Sequence, residues 1–205
     1  MTLETISFFL VALEWGLGAF ALLWYLTRAR RTPERNTLLL RRVIGAGVVL
    51  FLLFALVTTF FQYAAWEGDP LSSNLLPPHQ SILYFIKYAG THFWLTPTFS
   101  LIVSVAFYGF LVLLKRRNER FFEEGEMELG ALSAFLVGWP RVVVFIPVAF
   151  LAVVVISGIK LALRKNAYTT LGTPFLIGLL ITLVCGYAVL QSLGLESIAV
   201  IPGAR

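Results

Sequence analysis

Long apolar runs constrain this chain more than any other feature. A helix needs about 20 mostly apolar residues to cross a bilayer. Five stretches of the sequence reach that length: 6–26, 43–65, 95–114, 142–163 and 174–193. A sixth apolar stretch, residues 129–139, is too short to cross alone. The sequence therefore predicts an all-α, polytopic transmembrane helical protein that forms a single domain over residues 1–205, with about six membrane segments, five firm and one short.

The composition agrees with this prediction and excludes other classes of protein. Hydrophobic residues make up 59% of the chain and charged residues 13%, whereas soluble domains carry about 25% charged residues. Cys185 is the single cysteine and there are two histidines, too few for a disulfide scaffold or a zinc finger. We therefore predict no metal and no cofactor.

The basic residues lie between the apolar runs, which is typical of membrane topology and not of a nucleic-acid-binding surface. Loops one, three and five hold thirteen of the 16 Lys and Arg, and the other side holds three. The thirteen are Arg28, Arg30, Arg31, Arg35, Arg41, Arg42, Lys115, Arg116, Arg117, Arg120, Lys160, Arg164 and Lys165, and the three are Lys87, Arg141 and Arg205. The positive-inside rule then predicts a multi-pass protein of the plasma (cytoplasmic) membrane with both termini outside. The bilayer is its expected partner, and no nucleic acid is.

The segment 81–94 is apolar and aromatic but interrupted by polar residues, and its 14 residues are too few to span. We predict an interfacial or re-entrant helix here, or an extension of the third span. Thr96-Pro97 resembles an N-cap and first-turn proline that open a helix.

Two further features of the spans are candidates for function or packing. Glu14 lies inside the first span, where an ionisable group is costly and is by default a functional candidate; a buried carboxyl bonded to a neighbouring helix is the structural alternative. Gly130, Ala134 and Gly138 recur every four residues and form a small-residue stripe, which lets another membrane helix approach closely.

Acidic residues cluster just before the short segment, at Glu123, Glu124, Glu126 and Glu128. Carboxylates at a helix N-terminus are favoured by its dipole, and pairing with the neighbouring Arg116, Arg117 and Arg120 is a second structural explanation. The functional alternative is that one of them belongs to an aspartyl-protease-like dyad, in which two acids share a proton, one activating water and the other polarising the scissile carbonyl.

Two motifs resemble type IV prepilin peptidases. Residues 125–129, Gly-Glu-Met-Glu-Leu, lead into a short segment that ends in Gly138-Trp139, and they resemble the family's Gly-Asp-x-Lys-Leu segment, which opens a short helix ending in Gly-Trp. Residues 172–178, Gly-Thr-Pro-Phe-Leu-Ile-Gly, resemble the family's Phe-Gly-Pro-Phe-Leu motif. The resemblance covers residues 120–193.

The resemblance implies a membrane aspartyl endopeptidase of the GxGD type that cuts basic leaders from prepilin-like membrane substrates, with no cofactor. Glu126 would stand in for the second catalytic Asp. Asp69, which precedes Leu75-Leu76-Pro77, would be the first, since the chain has no other Asp. Glu128 occupies the place of the family's Lys.

Several departures keep a second hypothesis open. Glu126 is one methylene longer than Asp, and a shift of about 1 Å in a catalytic group can cost roughly a hundredfold in rate. The charge pattern also places Asp69 outside and Glu126 inside. The alternative is therefore a non-catalytic membrane protein, either a degenerate relative of the peptidases or a structural subunit that packs against other membrane helices. A transporter is a third hypothesis, and it depends on Glu14.

Overall fold

The computed structural model describes residues 3–30, 32–117, 122–163 and 169–195, and these residues are all-helical. Arg31, Arg120, Arg164, Lys165 and Arg205, which contributed to the charge count, lie outside the described residues. The seven α-helices are α1 (Leu3–Thr27), α2 (Pro33–Gly68), α3 (Ile82–Ala89), α4 (Leu95–Arg117), α5 (Glu126–Val137), α6 (Val142–Ala162) and α7 (Gly172–Ser192). Short 3₁₀ turns at Arg28–Arg30 and Ser72–Leu75 follow α1 and α2.

Within the described residues, four helical segments are long and apolar enough to cross a membrane. They are Glu34–Gly68, Ile82–Arg117, Val142–Ala162 and Gly172–Ser192, and α1 adds a shorter apolar stretch, Val11–Thr27. The outward faces of these helices carry large apolar side chains such as Phe60, Val105 and Val184, as expected of surfaces that lipid covers. The chain is therefore a helical membrane protein.

The helices gather basic residues at one end of the bundle. At this basic end, α1 ends, α2 begins and α4 ends, and it holds Arg28, Arg41 and Lys115. At the opposite end, the far end, α2 ends and α3 begins, and it holds Asp69 and Lys87.

Of the alternatives predicted for residues 81–94, the structure has the extension of the third span and not a separate interfacial or re-entrant helix. Here α3 continues through a π-helical turn, Gly90–Trp94, into α4, so that Ile82–Arg117 is one helix of 36 residues. Pro97 consequently lies inside a helix and does not open one. Proline lacks an N–H and its ring presses on the carbonyl four residues earlier, here that of Phe93. The π turn relieves this conflict because it widens the backbone immediately before the proline.

The short helix α5 forms the centre of the bundle. Eleven of its twelve residues are buried, as expected for a helix that is apolar on all sides. The small-residue stripe explains the close packing around it: a Cβ on Gly130 would lie 2.8 Å from Leu111 of α4 and from Phe175 of α7. The stripe therefore packs against other helices of this chain. Its second member, Ala134, is buried, and its third, Gly138, ends α5 next to Ser100.

Candidate functional site

Glu126 lies at the first turn of α5, at the basic end, and its side chain is completely buried. The turn before it requires glycine for two reasons. Gly125 has a φ of 84°, a left-handed conformation that other residues adopt at a cost. A Cβ there would also stand 2.9 Å from the indole of Trp24. Glycine thus lets the α5 N-terminus lie directly against the end of α1.

The partner of Glu126 is Arg28, from the 3₁₀ turn after α1. Arg28 Nη1 donates to Glu126 Oε1 at 2.8 Å, and Nη2 pairs with Glu123 Oε2 at 2.6 Å. The backbone N–H of Glu123 donates to the other oxygen of Glu126, Oε2, at 3.1 Å. One guanidinium therefore joins two carboxylates, in an ion-pair network that we call the Arg28 cluster (Arg28, Glu123, Glu126).

The environment of Arg28 preserves its charge. Burial acts to lower the pKa of its guanidinium, but the hydrogen bond to Glu126, the electrostatic interaction with Tyr25 and the charges of Glu123 and Glu126 outweigh burial, so the pKa is raised above the ordinary arginine value. The guanidinium also lies over the ring of Tyr25, 4.1 Å from its centroid, a cation–π contact. Arg28 is thus a fixed cation at this site.

The start of α7 closes the site from the other side. The Tyr25 hydroxyl and Thr173 Oγ1 are 2.6 Å apart and share a hydrogen bond. Gly172 lies so near the Glu126 carboxyl and the Tyr25 ring that a Cβ would collide with both. The two motifs that carry the family resemblance, at 125–129 and 172–178, therefore meet around the Glu126 carboxyl.

Glu128, two residues after Glu126 on α5, forms a second ion pair. Its Oε1 accepts from Arg41 Nη2 at 3.0 Å and from Arg41 Nε at 3.1 Å. The Glu128 side chain is 4% exposed and that of Arg41 is 64% exposed. Glu128 therefore ties α5 to α2, whereas Glu126 ties it to α1.

Asp69 does not approach Glu126. It follows the last residue of α2, at the far end, where the Ser72 hydroxyl and amide both donate to its Oδ2, at 2.6 and 3.1 Å. Along α2, Asp69 is roughly 28 residues beyond Arg41, which corresponds to about 42 Å at ~1.5 Å per residue. Asp69 and Glu126 therefore do not form a dyad in this structure, because α2 crosses the whole bundle between them. The side-chain hydrogen bond from Ser72, with that from its amide, lowers the pKa of Asp69.

Glu14 is paired inside the bundle. Arg141, at the start of α6, donates from Nη2 to both carboxylate oxygens of Glu14 at 3.1 Å. The Arg141 guanidinium also lies 5.0 Å from the centroid of the Tyr187 ring on α7. Glu14 precedes Arg28 on α1 by about 14 residues, so the two ion pairs that hold α1 to the rest of the bundle are about 20 Å apart.

A cavity of about 260 Å³ adjoins this second pair. Glu14 and Arg141 contribute to its wall together with His92 and Trp139, and Ser100 accepts a hydrogen bond from the Trp139 backbone N–H at its edge. Within the described residues, no group of three His, Cys, Asp or Glu side chains is placed to hold a metal ion.

The arginines at these sites were not identified from the sequence. Arg28, Arg41 and Arg141 were counted only as topology signals, and the Arg residues expected to pair with the acidic cluster were those of loop three. Spacing within one segment cannot show that α1 and α2 deliver the partners of α5, because these contacts join residues 87 to 127 positions apart. The one available signal was the need for each buried carboxylate to have a cation.

Comparisons of the chain with protein-family models, with curated proteins and with solved structures found no match. The resemblance to prepilin peptidases therefore stays a prediction from its two motifs.

Proposed function

We propose that this chain is a non-catalytic integral membrane protein, a degenerate relative of the prepilin peptidases in which an ion pair stands where the peptidase would hold its two acids. The observation that carries the proposal is the identity of the group facing Glu126. That group is Arg28, at 2.8 Å. Arginine stays protonated and has no acceptor, so it cannot share a proton with Glu126 as a second carboxyl group would.

The convergence of the two motifs supports descent from the peptidases. Glu126 from the first motif and Gly172 from the second lie in direct contact at one end of the bundle. A peptidase site would need these two segments at the same place, together with a second acid. Arg28 occupies the adjoining position, and Asp69 lies beyond the other end of α2, about 42 Å along the helix from Arg41.

In this proposal the protein has a structural role or recognises other membrane helices. The Arg28 cluster and the Glu128–Arg41 pair fix α1 and α2 to the central helix α5 by ion pairs. A membrane protein built in this way presents a stable apolar surface to lipid and to other membrane helices, and performs no bond cleavage.

The proposed location is the plasma membrane with the basic end in the cytoplasm and both termini outside. Arg28, Arg41 and Lys115 are all at that end, and cytoplasmic loops carry an excess of Lys and Arg. To test the orientation, single-cysteine variants at positions 69 and 124 would be made on a Cys185→Ser background and labelled in intact cells with an impermeant thiol reagent. We expect labelling at position 69 alone. Labelling at position 124 alone would reverse the orientation.

A cleavage assay tests the absence of catalysis. The chain would be co-expressed with a prepilin-like substrate that carries a basic leader, beside an active prepilin peptidase as the positive control. We expect no processing by the wild-type chain and none by Glu126→Gln. Processing by the wild type that Glu126→Gln abolishes would overturn the proposal, and Glu124→Gln, at an exposed neighbouring carboxyl, is the matched control.

A further inference from the structure

The cavity beside Glu14 and Arg141 has the features of a ligand site, and nothing in the proposed function uses it. Its volume is about 260 Å³, roughly nine times the ~30 Å³ share of one water molecule in liquid water. Pockets for drug-sized ligands start at about 300 Å³. The cavity can therefore hold one small organic molecule, and it is too small for a peptide or a lipid.

Both residues of the ion pair line this one space. Glu14 from α1 and Arg141 from the start of α6 line the same cavity, so it offers an anion and a cation side by side. Buried charge inside a membrane protein is costly unless it is compensated. A ligand with a net charge would leave one of the two groups without compensation, whereas a zwitterion would compensate both.

Arg141 has hydrogen-bonding capacity that the protein does not use. Its side chain is nine-tenths buried, and both of its bonds to Glu14 come from Nη2. Its Nε is buried without a hydrogen-bond partner, and leaving a buried donor unpaired is unfavourable. A carboxylate in the cavity would supply the missing acceptor.

The other residues of the cavity wall suit a ligand with an apolar or aromatic side chain. The rings of Phe51, Phe54, Phe93, Phe135, Trp139 and Tyr187 surround the space. Thr96 and Tyr187, which also line the cavity, are exposed, so the cavity opens to the outside of the bundle beside these two residues. Aromatic walls with a few convergent polar groups are typical of small-molecule sites.

We infer that this cavity binds a small zwitterion of the free α-amino-acid class with an apolar or aromatic side chain. The ligand carboxylate takes the donors of Arg141, its ammonium group takes the carboxylate of Glu14, and its side chain lies among the aromatic rings. Because a zwitterion has no net charge, its binding leaves the net charge of the site unchanged.

The test measures binding of L-phenylalanine to the full-length chain in lipid nanodiscs by calorimetry and by the shift in unfolding temperature. Two analogues retain its phenyl ring and each lacks one of its charged groups: phenethylamine has no carboxylate, and 3-phenylpropionate has no ammonium group. We expect saturable binding of L-phenylalanine and at least tenfold weaker binding of either analogue. Equal binding of all three would overturn the inference in favour of an unselective apolar pocket, and no binding of any would leave a cavity that holds only water.

Two variants locate the site. Glu14→Gln removes the group that faces the ammonium, and we expect at least a tenfold loss of L-phenylalanine affinity. Ala55→Leu keeps the ion pair but adds three carbon atoms at the cavity wall, and we expect it to abolish binding while the protein stays monodisperse. Gly109→Ala, at a position with no atom within 4 Å of the added Cβ, is the control. Unchanged affinity in both variants would place the ligand elsewhere. Should a variant fail to fold, the comparison of analogues on the wild type decides alone.

Discussion

Arg28 reaches Glu126 across 98 positions of sequence, with 2.8 Å between Nη1 and Oε1, and the Glu126 carboxyl has no exposed surface. A buried carboxylate of this kind is stable only where a cation is delivered to it, because its desolvation is not otherwise offset. The end of α1 and the start of α5 are therefore one structural unit, although a complete pair of spans separates them along the chain.

The first prediction concerns this contact. Arg28→Ala leaves Glu126 buried without a cation, and breaking such a pair costs about 3–5 kcal/mol, so we expect the variant to be that much less stable. Unfolding in lipid nanodiscs would measure the loss. Arg42→Ala removes an exposed arginine from the same end of the bundle and should cost less than about 0.5 kcal/mol. A loss in Arg28→Ala no larger than in this control would contradict the structure.

The Glu128–Arg41 pair should respond differently to mutation and to salt. The Arg41 side chain is 64% exposed although Glu128 is buried, so water screens this pair more than the Arg28 cluster and can approach Glu128 when the guanidinium is removed. We expect Arg41→Ala to be less destabilising than Arg28→Ala. We also expect its effect to shrink when the salt concentration rises from 0.05 to about 1 M, where the Debye length falls to ~3 Å. An effect of Arg41→Ala that is independent of salt would count against this assignment.

Gly130 provides a prediction about packing. Its Cβ would lie 2.8 Å from Leu111 and from Phe175, and overpacking a core of this kind costs about 1–3 kcal/mol. Gly130→Ala should therefore lower the free energy of unfolding by that amount. Gly109→Ala, in α4, adds the same methyl group to open space and should be neutral or slightly stabilising, because alanine favours a helix more than glycine does. Equal effects in the two variants would show that α5 is not packed as described.

The Asp69 turn should depend on pH. Hydrogen bonds from Ser72 lower the pKa of this carboxyl. A depressed folded-state pKa means that the stabilisation is present above the unfolded value of about 3.9 and is lost as the pH falls through the lower, folded-state value. We expect hydrogen exchange at the Ser72 amide to lose protection below pH ~4, after correction for the intrinsic rate. In Asp69→Asn this pH-dependent loss should be absent, and an unchanged loss in that variant would assign it to another group.

The sequence predicted most helix ends to within a few residues because each span is a local property, although α2 begins at Pro33 and not near residue 43. The ends of α5, α6 and α7 differ from the predicted 129–139, 142–163 and 174–193 by three residues or fewer. The segment 82–94 was harder to predict, because its polar interruptions disfavour a span while its backbone still continues into α4 through a π turn. A hydropathy pattern does not register a π turn.

The site was predicted in part. Glu126, Glu128 and Glu14 were identified as unusual acids, and each is held by an arginine in the structure. Their partners depend on the order in which helices pack, which spacing within one segment does not encode. The family resemblance links Asp69 to Glu126 because no other Asp is present, whereas the charge pattern places the two acids on opposite sides, and the position of Asp69 at the far end of α2 agrees with the charge pattern.

The shortness of α5 also bears on how the chain enters a bilayer during synthesis. Its twelve residues extend about 18 Å, well short of the ~30 Å hydrocarbon core, so α5 cannot be inserted as an independent crossing. It must enter together with α6 as a helical hairpin whose two outer ends stay on the side from which it came. Gly130 and Phe175 can come into contact only once α7, which is made after this hairpin, has also been synthesised. Assembly of the bundle centre is therefore completed only after α7 has left the ribosome.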